Sequence, residues 1–153
     1  MGEGAVARTP HKIVCKGLGS CVAVILYDSR LKLGGLAHVM LPGAGSTQQP
    51  VVHPFRYADS AVAALARRLS AMGASRQNLS ARLIGGAHLF TQDADASEGI
   101  GAQNIATLRR MLASEGILLN GEDVGGGHGR SVMFDLSNGR AVITTIGGGM
   151  HVI

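Results

Sequence analysis

The sequence predicts an α+β domain. Two apolar, β-branched runs flanked by turn residues, 21–27 and 33–41, read as a strand hairpin. A second hairpin is signalled by 132–134 and 141–146 around Asn138-Gly139, a dipeptide suited to tight strand reversal. Two other stretches repeat apolar residues at spacings of three and four, the period of a helix with one buried face. Hairpins mixed with two helices, without an internal repeat or a dividing linker, give the α+β class.

In chain order, residues 1–10 read as a flexible N-terminal arm, and 11–153 as one domain. Residues 12–16 form a short strand that ends in the small-residue turn Gly17-Leu18-Gly19-Ser20. The strand 21–27 follows, then a polar turn over 28–32, then the return strand 33–41, which Pro42-Gly43 stops. The stretch 43–54, rich in Gly, Ser, Thr, Gln and Pro, is a loop. Over 57–72, Ala58, Ala61, Val62, Leu65, Leu69 and Met72 mark one helical face, and Gly73 ends it. Residues 81–84 are a short strand running into Gly85-Gly86, and 91–99 a polar loop. The second helix, 103–114, turns Ile105, Leu108 and Leu112 inward and is capped by Gly116. Residues 117–124 are a strand, 125–130 a glycine-rich turn, and 147–153 a tail.

Composition narrows the function classes. Hydrophobic residues are 46% of 153 and charged residues 16%, against a usual charged share of roughly 25%. That excludes a disordered chain and a long solvated coiled coil. Aromatics are 3%, so the core is aliphatic. A chain of this length buries about two-thirds of its unfolded surface and needs no metal or disulfide staple. The net charge of +4 favours an acidic partner. The densest cationic stretches are the pairs Arg67-Arg68 and Arg109-Arg110, both inside helical patterns, so no nucleic-acid partner is expected. No run approaches the ~20 apolar residues of a membrane span, and the N-terminus lacks a signal-peptide core. A cytoplasmic protein without membrane insertion is expected. Cys15 and Cys21 are too few for a disulfide framework and should be reduced there.

The N-terminal hairpin holds the most specific geometry. If Tyr27 faces residue 32 or 33, counting back places Cys21 opposite residue 38 or 39, which makes Cys21 and His38 near neighbours across two strands. A thiol is a strong nucleophile once ionised, and a neighbouring imidazole can activate it. The peptide N–H groups of the preceding Gly-rich turn, at Gly19 and Ser20, suit an oxyanion. Together these point to a cysteine hydrolase or transferase. The bland alternative is a small buried hydrophobe at 21 and a structural histidine at 38. A Cys15–Cys21 redox pair disagrees with a reducing compartment. Cys15, Cys21, His38 and His88 lack a zinc-ligand pattern, so no metal is expected. The 125–130 turn, Gly-Gly-Gly-His-Gly-Arg, lacks the P-loop pattern GxxxxGK[ST] and reads as a wide turn. His11, His53 and His151 read as solvent-exposed.

Gly17-Leu18-Gly19-Ser20-Cys21-Val22-Ala23-Val24, followed by Gly35-Leu36-Ala37-His38-Val39-Met40-Leu41-Pro42, resembles the signature of the chemoreceptor glutamine deamidase family, CheD. Further blocks follow in the family's order: Arg56-Tyr57-Ala58-Asp59, Ile84-Gly85-Gly86-Ala87, Ile100-Gly101 with Asn104, and Glu122-Asp123-Val124-Gly125-Gly126 with Gly129-Arg130. They cover roughly residues 11 to 146.

The resemblance implies a layered α/β/β/α sandwich similar to the catalytic domain of the cytotoxic necrotizing factor toxins. It implies hydrolytic deamidation of glutamines on the cytoplasmic helices of chemoreceptors, through a cysteine thioester and without a cofactor. Cys21 falls on the nucleophile and His38 on the base. The family commonly has Thr six residues before the nucleophile, where this chain has Cys15. A thiol is the poorer hydrogen-bond partner, so the third role stays open between Cys15, another residue and a backbone carbonyl. The family often has Asn where His88 stands, and His88 receives no role. A CheC-type phosphatase is the further partner implied. Two alternatives remain: a non-catalytic adaptor binding such a phosphatase or a receptor, and a thiol hydrolase of small amides or esters, receptor methyl esters included.

Overall fold

The computed structural model describes residues 2–43, 52–88 and 99–153. Most of the loops expected over 43–54 and 91–99 lies outside the described residues. The strands are β1 (Gly4–Arg8), β2 (Lys12–Leu18), β3 (Val22–Asp28), β4 (Leu33–Val39), β5 (Leu79–Gly85), β6 (Leu118–Val124), β7 (Arg130–Asp135), β8 (Arg140–Thr145) and β9 (Met150–Val152). The helices are α1 (Ala58–Ala71) and α2 (Ile100–Ser114). The strands form two sheets, one of five in the order β1-β4-β3-β5-β6 and one of four in the order β2-β7-β8-β9.

Burial explains the layering. Every residue of β3 and β4 is buried, because the five-stranded sheet is covered on both faces. Side chains alternate along a strand, so β3 sends Val22, Val24 and Leu26 toward the helices. It sends Ala23, Ile25 and Tyr27 toward the other sheet. Against the first set pack Val62, Leu65 and Leu69 of α1 and Ile105, Leu108 and Leu112 of α2. Against the second pack Ile13, Val132, Phe134 and Ile143. Tyr27 anchors this inter-sheet core: its ring meets Phe134 edge-on at 5.2 Å, and its hydroxyl donates to the Leu136 carbonyl at 2.9 Å.

The mixed α+β class and both hairpins therefore match the sequence reading. Three points differ. Both helices lie on the five-stranded sheet, so the described layers run α/β/β; a second helical layer on the four-stranded sheet is not found among the described residues. The expected N-terminal arm instead contributes β1, an edge strand pairing Gly4 with Ala37 through Arg8 with Leu33. The expected tail contributes β9, paired with β8 from Val142↔Val152 to Thr144↔Met150. β1 has no two-residue hydrophobic period, and β9 is only three residues long. β9 is exposed throughout, and its place comes from backbone hydrogen bonds, which carry no side-chain signal.

Candidate active site

The β3–β4 ladder sets the geometry at one end of the sandwich. Ala23 pairs with His38 and Val22 with Val39, the last rung. Cys21 lies one residue beyond β3 and level with Met40, so it is a diagonal neighbour of His38; the sequence count, which put it opposite 38 or 39, falls one or two residues short of this register. The two share a face. His38 alternates with Leu36 and opposes Ala23, and both of those face the four-stranded sheet. Cys21 packs against that same inter-sheet cluster.

His38 is 8% exposed, and Cys21 is half-buried. No hydrogen bond joins them among the described residues, and His38 Nε2 is buried without a partner. A cleft of about 240 Å³ opens beside the ring between the free edges of the two sheets; Glu3, Ile13, Cys15, Lys16, Leu36 and His38 are among its walls. The structure thus puts His38 and Cys15 on one cleft and leaves Cys21 outside its lining. His88 is exposed, and its N–H bonds to the Gly126 carbonyl at 2.9 Å.

Burial decides the charge states. It pushes the Cys15 thiol up to about 11, with the neighbouring Cys21 adding to the rise. Burial also raises Cys21. It lowers His38 below 6.5, against an opposing pull from the Glu3 carboxylate. All three groups are thereby held neutral near pH 7. The resting pair is thiol and imidazole, with the ring free to accept a proton.

The turn that carries Cys21 is held by its carbonyls. Gly19 O accepts from Ala87 N–H and Cys21 O from Gly86 N–H, both at 2.8 Å. Ser20 O accepts from Asn104 Nδ2 at 3.1 Å. The glycines of β5 and the segment after it make this approach close enough. A Cβ at Gly85 would collide with the Cys21 carbonyl oxygen. A Cβ at Gly101, on α2, would come within 2.7 Å of the Gly86 carbonyl carbon.

Asn104 had no role in the sequence reading. It is fully buried on the inward face of α2, and Nδ2 also donates to Met40 O at 3.1 Å. The signal available in the sequence was a polar residue at a core position, between Gly101 and Ile105 on the helical period. The 125–130 turn is a turn, as expected. Arg130 Nη1 closes it by donating to Gly125 O at 2.8 Å and His128 O at 3.2 Å, while Nη2 pairs with Asp123 Oδ1 at 3.0 Å.

Two packed sheets under a helical layer, with a thiol and an imidazole on one face of adjacent strands, define a candidate thiol hydrolase of the α+β class. The CheD family model, described as CheD chemotactic sensory transduction, matches residues 40–145. A Thermotoga maritima protein named "Chemoreceptor glutamine deamidase CheD" is 41% identical over 149 residues, 97% of this chain and 91% of its own length. A Moorella thermoacetica relative named "Probable chemoreceptor glutamine deamidase CheD" is 41% identical over 155 residues, covering 100% of this chain and 92% of itself. A Clostridium acetobutylicum relative with the same name is 38% identical over 149 residues, 96% of this chain and 89% of itself. The chain belongs to the CheD family. The family-model match begins after His38, but the relatives' alignments cover almost the whole chain, so they take in the hairpin.

Proposed function

We propose that this protein hydrolyses glutamine side chains on the cytoplasmic helices of chemoreceptors to glutamate, with Cys21 as nucleophile and His38 as the acid–base group. The observation that carries the chemistry is a partly exposed thiol on the same face as a neutral imidazole whose Nε2 is unpartnered. The names of the relatives supply the substrate. Imidazole takes the thiol proton as sulfur bonds to the carboxamide carbon. The tetrahedral adduct collapses as His38 returns that proton to the departing nitrogen, releasing ammonia and leaving a thioester. Water then attacks and gives a proton to His38. The C–S bond breaks, the thiol is reformed, and glutamate leaves. A raised thiol pKa fits proton transfer to a base better than a standing thiolate does.

The turn geometry supports oxyanion donors. In a trans peptide the N–H points opposite the preceding C=O. The carbonyls of Gly19 and Ser20 are held by Ala87 and Asn104, so the N–H groups of Ser20 and Cys21 point the other way. Each such donor is worth roughly 3–4 kcal/mol to the transition state. Cys15 borders the same cleft as His38, which supports a supporting role beside the ring. Its thiol, raised to about 11, is no acid–base group at neutral pH. The same reading carries cytoplasmic placement, a CheC-type phosphatase as second partner, and a fold related to the cytotoxic necrotizing factor catalytic domain. No helix among the described residues is long and apolar enough to cross a membrane.

Two observations favour a second reading. No hydrogen bond joins Cys21 to His38, and Cys15 stands where the resemblance leads one to expect a common Thr. A non-catalytic adaptor for a receptor or phosphatase would show both. The test is mass spectrometry of receptor cytoplasmic fragments after incubation. Amide-to-acid conversion at a helical glutamine, abolished by Cys21→Ala, is the expected result. Fragments left unmodified but bound support the adaptor. Turnover confined to small amides or esters makes the protein a general thiol hydrolase.

A further inference from the structure

We infer that Asn104 is a positioning residue for this reaction: its carboxamide sets the spacing between the segments that carry Cys21 and His38. The inference rests on the deamidase reading above. The β3–β4 ladder ends at Val22↔Val39, so no rung joins the chain at Cys21 to the chain at Met40. Asn104 takes over there. Its Nδ2 donates to Ser20 O, one residue before the nucleophile, and to Met40 O, two residues after the base, each at 3.1 Å. Both donors of one planar amide are thereby committed to two different segments, which fixes the distance between them.

The surrounding structure makes this bridge short and stiff. Asn104 is 0% exposed, so water does not compete for either bond. Gly101, one helical turn earlier, lets α2 approach the Gly86 backbone closely. Each segment has other anchors: Cys21 O on Gly86 N–H, and Met40 N–H on Arg56 O. Those anchors tie each segment to a different element. Beyond the last rung of the ladder, and among the described residues, the Asn104 side chain hydrogen-bonds to both. Its loss should therefore leave the fold standing and let the two segments drift relative to one another. A misplacement of about 1 Å at reacting groups costs on the order of 100-fold in rate.

The experiment uses the full chain and two readouts. The first is kcat and KM on a receptor fragment. The second, which needs no substrate, is the rate of iodoacetamide alkylation at Cys21 and at Cys15 across pH. Asn104→Ala should lower kcat roughly 10- to 100-fold with KM within about twofold. The pH midpoint of Cys21 alkylation should move, and that of Cys15 should stay. Leu112→Ala, in the core at the far end of α2, is the stability control and should lower the melting temperature without changing kcat below it. If Asn104→Ala does not fold, Asn104→Asp replaces it, equal in size and lacking the amide donors when ionised. The inference is overturned if kcat stays within twofold, if both thiols shift together, if Leu112→Ala reproduces the loss, or if neither Asn104 variant folds. If the wild-type protein leaves receptor glutamines intact while Cys21 alkylation alone still depends on Asn104, the positioning stands and the deamidase reading fails.

Discussion

Gly85→Ala tests whether the end of β5 shapes the nucleophile's turn. Gly85 has φ +111°, a backbone conformation that costs an L-residue about 1–3 kcal/mol. The added methyl would also press on the Cys21 carbonyl oxygen and sit 3.2 Å from Leu18 Cβ. Neither is the far end of a flexible side chain, so the backbone has to yield. The oxygen must retreat by on the order of 1 Å to reach ordinary contact. It then leaves the Gly86 N–H, now 2.8 Å away, and an orphaned buried donor costs about 1–3 kcal/mol. A loss of about 2–6 kcal/mol follows, or a fall in melting temperature of roughly 4–24 °C for a chain of this size. Because the moving atom belongs to Cys21, kcat should drop about 10- to 100-fold in the population that remains folded. Gly116→Ala is the control. Its φ is +66° with nothing within 4 Å of the added carbon, so it carries conformational strain alone, about 1–2 kcal/mol, and leaves kcat intact. The assays are thermal unfolding by circular dichroism and mass-resolved deamidation of a receptor fragment. Equal behaviour of the two variants would refute the packing account of this turn.

Other consequences are independent of that site. Because burial holds His38 below 6.5, activity should persist through pH 6.5 and decline only below it, as the base is protonated. The same depression predicts stability falling as pH drops from 6.5 through the folded value, since the unfolded chain takes up the proton first; Glu3→Gln should move the acid limb to still lower pH, and an acid limb above 6.5 would contradict this. At pH 8 a thiol with a pKa of about 11 is ionised in about one molecule in a thousand, and Cys15 is buried where Cys21 is half-exposed, so iodoacetamide should label Cys21 faster than Cys15; equal rates count against an accessible nucleophile. Arg130→Met removes the clamp on Gly125 O and His128 O and the buried partner of Asp123. It should cost about 2–4 kcal/mol in chemical denaturation, while an unchanged midpoint would show that the turn holds itself.

What could be read from the sequence alone is what depends on local period and residue chemistry. The β3 and β4 runs, the inward faces of α1 and α2 and the Asn138-Gly139 hairpin all announce themselves, because apolar burial leaves a period of two or 3.6 in the chain. The approach of Cys21 to His38 was legible because a hairpin folds the chain back on itself, so counting outward from the turn names the cross-strand neighbours. Tertiary structure decided the rest. β1 and β9 exist because backbone donors and acceptors at a sheet edge recruit a partner whatever its side chains. The diagonal placement of Cys21 depends on where the ladder ends, which a one- or two-residue uncertainty in register hides. Asn104 brings two carbonyls together from 84 and 64 residues away, and no pattern along the chain encodes such a meeting. The charge states of Cys15, Cys21 and His38 follow from desolvation, a property of the packed sandwich that no single residue carries.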